Sequence, residues 1–169
     1  MPKLNQDSLQ KIDFTLNGVA ETGTAEPRML LSDFLRNVMG VTGCHVGCEH
    51  GVCGACTVQI DGKAQRSCLT LAVQVAGRKV DTVESLAGRE NPLTDLQQAF
   101  KTHHGLQCGY CTPGILMSTS EFLDRNPNPT EEEVRDMLSG HLCRCTGYAG
   151  IVNAIMATIE ERQGKAAAE

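Results

Sequence analysis

Three cysteines spaced C-x4-C-x2-C, Cys48, Cys53 and Cys56, lie in the run Gly47-Cys48-Glu49-His50-Gly51-Val52-Cys53-Gly54-Ala55-Cys56 and constrain this chain more than any other feature. Thiolates gathered on an inorganic core carry negative charge, so the backbone must turn N–H groups toward the sulfurs. Gly47, Gly51 and Gly54 let the chain approach closely and adopt positive φ where a side chain would clash. The spacing is that of a plant-type 2Fe-2S loop, which needs a fourth cysteine downstream. Cys68 follows Cys56 by twelve positions, in a segment that reads as strand-like. Cys48, Cys53, Cys56 and Cys68 are therefore the expected ligands of a first cluster.

A second constellation lies further on. Cys108-Gly109-Tyr110-Cys111 leads into one expected helix and Cys143-Arg144-Cys145 into another, so two thiol pairs arrive on two helix-leading loops. Helix N-termini favour negative charge, which lowers the cost of assembling four thiolates. C-x2-C with C-x-C is not a plant ferredoxin spacing. On chemistry alone this set suits tetrahedral zinc as well as an iron-sulfur cluster.

The 169 residues could form one domain or two small ones, and two groups of cysteines argue for two. Domains of that size have little core to spare and are commonly stapled by metal. The net charge of -5 and the lack of a Lys/Arg run argue against a nucleic-acid partner. No apolar run reaches the roughly 20 residues of a membrane span, and the opening residues lack a signal-peptide core and a twin-arginine pair. A cytoplasmic chain is expected. Nine cysteines, an odd number without an export signal, suit cofactor ligation better than a disulfide framework.

The chain reads as α+β. Lys11 to Leu16 and Val19 to Ala25 flank Asn17-Gly18, a strong hairpin signal. Met29 to Met39 carries Leu30, Phe34 and their neighbours at helical spacing, closed by Gly40. After the cysteine loop, Thr57 to Ile60 and Lys63 to Ser67 flank Asp61-Gly62, and an apolar run extends from Leu69 to Val75. Hairpin, helix, loop and hairpin predict a small mixed sheet gripping one helix. From about Ser85 the pattern turns helical: Pro92 and Thr94 open a helix to His104, and Ile115 to Leu123 forms another. Thr130-Glu131-Glu132-Glu133 is a capping box for a short helix to Leu138. A last helix spans about Gly147 to Arg162, with Ile151, Ile155 and Ile159 on one stripe, followed by a loose tail from Gln163. The expected division is 10–84, 85–163 and a flexible tail at 164–169.

The three motifs together, including Gln107-Cys108-Gly109-Tyr110-Cys111-Thr112-Pro113-Gly114 and Cys143-Arg144-Cys145-Thr146-Gly147-Tyr148, resemble the iron-sulfur subunit of the molybdenum hydroxylases, the xanthine oxidase and aldehyde oxidoreductase family. The resemblance spans roughly Ile12 to Ile159. It implies a plant-ferredoxin-like β-grasp domain followed by a four-helix bundle, each holding one 2Fe-2S cluster. Cys108, Cys111, Cys143 and Cys145 would hold the cluster nearest a molybdopterin, in its cytosine dinucleotide form. Cys48, Cys53, Cys56 and Cys68 would hold the one facing a flavin. Gln107 and the backbone at Cys145 would contact the pterin. Molybdenum and FAD would belong to partners, a large molybdopterin-binding subunit and a medium FAD-binding subunit, in a heterotrimer or a dimer of heterotrimers. The chain would then relay electrons from molybdopterin to FAD without a substrate site of its own.

Other residues near these motifs have plainer readings. Cys44, where many members of that family carry threonine, reads as a small buried apolar side chain. His50 reads as a solvent-facing loop residue, and His103 and His104 suit a helix C-terminus. Arg144 would offset thiolate charge or meet a partner. Tyr110 and Tyr148 divide between packing and an electron path.

Overall fold

The structure, a computed structural model, describes residues 8–87 and 93–166. Strands β1 (Gln10–Leu16) and β2 (Val19–Ala25) form the expected antiparallel hairpin, with Leu16 opposite Val19 across Asn17-Gly18. Along β1, Ile12, Phe14 and Leu16 are buried and alternate with more exposed residues, as a one-sided strand requires. They face helix α1 (residues 31–38), where Phe34 sits with its ring centroid 5.7 Å from that of Phe14.

Helix α1 departs from the expected regular helix over 29–39. It makes one α-turn at Leu31–Asp33 and continues as a π-helix at Phe34–Val38, where the Met39 N–H donates to the Phe34 carbonyl at 3.0 Å. The apolar face survives the change, since Leu31, Phe34 and Leu35 are all buried. The π-turn delivers the chain into the irregular segment that carries Cys44 to Cys56.

Strands β3 (Thr57–Ile60) and β4 (Lys63–Arg66) pair about Asp61-Gly62 as expected. The strand-like reading of the next stretch is overturned: Ser67–Leu69 and Ala72–Val75 are short 3-10 turns, so Cys68 is presented on a helical turn. Leu31 N–H to the Thr70 carbonyl at 2.7 Å and Ala72 N–H to the Met29 carbonyl at 2.9 Å bind this segment to residues 29–31 around an isolated antiparallel bridge, Leu30 to Leu71. Local apolar content suggested a strand; the extended backbone is confined to that bridge, with a 3-10 turn on either side. Strand β5 (Lys79–Asp81), too short to read from sequence, lies parallel to β1 and antiparallel to β3. It completes a mixed sheet of order β2-β1-β5-β3-β4.

Four helices follow: α2 (Asp95–Thr102), α3 (Thr112–Arg125), α4 (Glu131–Ser139) and α5 (Ala149–Ala166). Thr94 caps α2, with its hydroxyl accepting from the Gln97 N–H and Gln97 returning a bond to the Thr94 N–H. Pro92, expected to open this helix, lies outside the described residues. Helix α3 starts earlier than expected, with Pro113 in its first turn, where a missing N–H costs nothing. The Thr130 capping box is present on α4. Helix α5 continues to Ala166, so residues 163–166, expected as loose tail, are helical.

The buried side chains gather into two clusters. One joins the sheet to α1 through Ile12, Phe34, Val58 and Val80. The other joins the four later helices through Leu96, Phe100, Ile115, Ile151, Ile155 and Ile159. The stripe read on α5 is wholly buried, and each of its isoleucines contributes about 2 kcal/mol by leaving water. Helices α2 and α4 pack on α5, whereas α3 packs across β3 and β4 and so joins the two clusters. Among the described residues, no helix is long and apolar enough to cross a membrane.

Candidate metal centres

The two cysteine sets come together where α3 meets the sheet. In the first loop the Cys48 thiol accepts from the backbone N–H groups of His50 and Cys53, each at 3.4 Å. Two donors aimed at one sulfur are the arrangement that thiolate ligation demands. They pull the Cys48 thiol down to about 6, the Cys53 N–H contributing most. Cys53 lies beside Cys48 and is pushed up, chiefly by burial. Cys68, carried in on its 3-10 turn, meets Cys56, and burial with that neighbouring thiol raises it to about 11.

Gly54 shows why this loop needs glycine. Its φ is +75°, and a Cβ there would run into the His141 ring and lie 2.8 Å from the Gly140 carbonyl. The loop is thus laid directly against the segment that leads to Cys143.

The second set assembles from the loop before α3 and the loop before α5. The Cys145 and Cys108 sulfurs lie 3.4 Å apart, and Cys111 faces Cys143. Burial, then the Cys143 thiol, pushes Cys111 up to about 12. Burial also opposes ionisation of Cys143, but the Thr146 hydroxyl at 3.0 Å and nearby backbone N–H groups outweigh it and lower that thiol. A gradient results, with one thiol of the facing pair favoured as thiolate. All nine cysteines are free, and among the described residues no three His, Cys, Asp or Glu side chains close on a single-ion site.

The donor chemistry fits iron and sulfide: thiols dominate both sites, N–H groups point at sulfur, and two buried polar atoms beside the second set lack partners. These are the Thr112 hydroxyl, next to Cys111, and His141 Nδ1. Gln107 and Arg144 are exposed beside their cysteines. His50, His103 and His104 are exposed as well, and Cys44 is buried, with Sγ 3.1 Å from the Ser67 hydroxyl.

His141 is the residue that sequence reading passed over. It is 2% exposed, its Nε2 lies 2.8 Å from the Ser118 hydroxyl, and burial, then Arg66, lowers it to about 4, so it is neutral. Only its place two residues before Cys143 hints at a role; the contacts that bury it come from Gly54 and α3. Around it, Arg66 Nη2 donates to the Gly140 carbonyl at 2.5 Å while Nη1 donates to the Thr57 hydroxyl. The Leu142 N–H donates to the Cys53 carbonyl at 2.9 Å, which joins a cysteine of the first set to the residue just before Cys143 of the second. Tyr148 supports the same loop: its hydroxyl accepts from the Cys143 N–H and donates to the His141 carbonyl. Tyr110 spans to the first loop, donating from its hydroxyl to the Val46 carbonyl at 2.6 Å.

Known proteins resemble this chain in sequence and fold. Residues 31–98 match the model of a 2Fe-2S iron-sulfur cluster binding domain and residues 82–156 that of a [2Fe-2S] binding domain. The nicotine 6-hydroxylase small subunit of Paenarthrobacter nicotinovorans is 56% identical over 146 residues, 86% of this chain and 87% of that protein. The crystal structure of quinoline 2-oxidoreductase from Pseudomonas putida 86 includes a chain that superposes with a TM-score of 0.88 at 50% identity, over 95% of this chain and 99% of that one. Aldehyde oxidoreductase from Desulfovibrio gigas matches with a TM-score of 0.86 at 42% identity, over 92% of this chain but 17% of that longer one.

Proposed function

Because this chain belongs to the family of small iron-sulfur subunits of the molybdenum hydroxylases, we propose that it is the electron-transfer subunit of a heteromeric molybdenum-dependent hydroxylase, relaying electrons from a molybdopterin centre through two 2Fe-2S clusters to FAD on a partner subunit. The observation that carries the reading is the Leu142 N–H to Cys53 carbonyl bond, which ties the first cysteine set to the loop that carries Cys143 and Cys145.

Cys48, Cys53, Cys56 and Cys68 would hold one cluster, and Cys108, Cys111, Cys143 and Cys145 the other. When bound, such clusters supply one-electron redox chemistry whose potential follows hydrogen bonding to sulfur and burial. The chain's own contribution is position and environment. His50 and Cys53 N–H groups stabilise the Cys48 thiolate, and the Thr146 hydroxyl does the same for Cys143. The neutral His141 ring fills the space between the sets without adding a charge. The sheet with α1 and the four later helices are read as two domains, a plant-ferredoxin-like β-grasp and a four-helix bundle, dividing near residue 84.

Gln107 and the Cys145 backbone are exposed and would meet the pterin of a large subunit, as its cytosine dinucleotide. Val52 and Leu69 beside the first set are 61% and 65% exposed, and Leu142 beside the second is 57% exposed. Apolar side chains bare at both sites suit a chain covered by partners, a large molybdopterin subunit and a medium FAD subunit, in a cytoplasmic heterotrimer or its dimer. The chain itself would do no substrate chemistry.

Purification from the native source with metal analysis tests this. About four iron per chain, with molybdenum and two larger co-purifying chains, is the expected result. The same iron with neither molybdenum nor partners would make the chain a freestanding ferredoxin, and zinc in place of iron would overturn both readings.

A further inference from the structure

His45 and Tyr110 form a reciprocal clasp between the two cysteine loops. His45 lies three residues before Cys48, and Tyr110 lies between Cys108 and Cys111. Their rings stack, with centroids 4.7 Å apart and planes inclined by 23°. His45 Nδ1 is 2.8 Å from the Tyr110 carbonyl; since a carbonyl only accepts, Nδ1 carries the proton. In return the Tyr110 hydroxyl donates to the Val46 carbonyl at 2.6 Å. Each loop's side chain thereby grips the other loop's backbone.

Packing alone does not call for this. Tyr110 is 48% exposed, so its ring is held out of the core and across the gap between loops. Nor is the pair needed to bury either cluster of apolar side chains, neither of which includes it. Elsewhere the first loop is joined to the loop before α5, by the Leu142 N–H to Cys53 carbonyl bond, whereas Tyr110 lies on the loop before α3. One attachment leaves a hinge; the clasp, made to the other thiol-bearing loop of the second set, removes it. We infer that His45 and Tyr110 are positioning residues that fix the separation and mutual orientation of the two redox centres, and so set the electronic coupling between them. The inference rests on the two-cluster reading above.

The test uses the complete complex carrying His45→Ala, Tyr110→Phe or His45→Phe. Iron content and the EPR signal of each cluster reduced alone report loading. The magnetic interaction between the clusters in the fully reduced complex reports their geometry. Expected is full iron in all three with a weakened and heterogeneous interaction in His45→Ala. Tyr110→Phe keeps the stack and loses one hydrogen bond, which raises the open population about fivefold. His45→Phe restores the stack and should recover part of the interaction. Full loading with an unaltered interaction in both His45→Ala and Tyr110→Phe would overturn the clasp while leaving the relay intact. If His45→Ala fails to load, the comparison of Tyr110→Phe and His45→Phe with the unmodified complex decides in the same way. A single cluster signal in the unmodified complex would instead remove the two-cluster reading, and the clasp with it.

Discussion

Gly114, in the first turn of α3, lies directly against the carbonyl of Gly54 in the first cysteine loop, and a Cβ on Gly114 would also come within 3.1 Å of the Ala55 Cα. The obstacle is backbone on both sides, so neither neighbour can swing away. Helix and loop meet here with no room for a side chain on Gly114.

Gly114→Ala therefore sets two effects against each other. Alanine favours the helix by about 1 kcal/mol over glycine. Overpacking against rigid backbone costs about 1–3 kcal/mol and displaces the loop. The clash should win, with a lower Tm and a loss of iron confined to the first set. A variant more stable than the parent, with its iron intact, would show that α3 can withdraw from the loop freely.

Arg66 bridges the same junction from the side of β4. Its fork binds the Thr57 hydroxyl and the Gly140 carbonyl together, which an ammonium cannot imitate. Arg66→Lys keeps the charge and loses the two-pronged geometry. It should destabilise by about 2 kcal/mol in denaturant unfolding, close to Arg66→Ala. Full recovery by lysine would mean that charge alone, acting on His141 or the thiolates, is what matters there.

Much of the fold was legible because its signals are local. Asn17-Gly18 between alternating strands specified the first hairpin, Thr130 with Glu133 specified the start of α4, and the spacing of Ile151, Ile155 and Ile159 specified the buried face of α5. What stayed hidden is decided at long range. Strand β5 has three residues and exists because β1 and β3 leave a gap for it. The run Leu69 to Val75 is apolar enough for a strand, yet after one bridge from Leu71 to Leu30 it turns as a 3-10 helix. At the candidate sites, cysteine spacing announced both groups of thiols, because ligands must be sulfur at set intervals. His141 left almost no trace, since its burial depends on Gly54 and Ser118, far away in sequence.

Asp95 and Arg162 link the ends of the helical half. Arg162 Nε donates to one carboxylate oxygen at 2.6 Å and Nη2 to the other at 2.9 Å, joining the start of α2 to α5. The guanidinium holds the Asp95 carboxyl below its usual range against an opposing effect of burial. A lowered folded value means the contribution is complete above the unfolded carboxylate range, about pH 4, and is lost as pH falls through the folded value. Asp95→Asn should therefore cost about 1 kcal/mol at neutral pH, a modest figure because both side chains are partly solvated. The difference from the parent should shrink below about pH 4. Equal stability of the two proteins at neutral pH would remove the pair as a support of the helical half.

Cys44 and Cys68 are both buried thiols in the same core, yet they should behave differently. Cys68 meets Cys56 and is the expected fourth ligand of the first set, so Cys68→Ser should remove about half of the iron and the corresponding EPR signal. Cys44 instead places Sγ 3.1 Å from the Ser67 hydroxyl and donates to the Cys56 carbonyl at 3.6 Å, so its hydrogen-bonding capacity is used within the core. Cys44→Ser keeps a hydrogen-bonding group opposite Ser67 and should leave iron unchanged, with a stability loss of about 1 kcal/mol. Iron lost from Cys44→Ser, with Cys68→Ser fully loaded, would exchange their roles. The contrast is sharp because the two sites share one core: a general collapse of that core would strip iron from both variants, whereas ligand loss strips it from one.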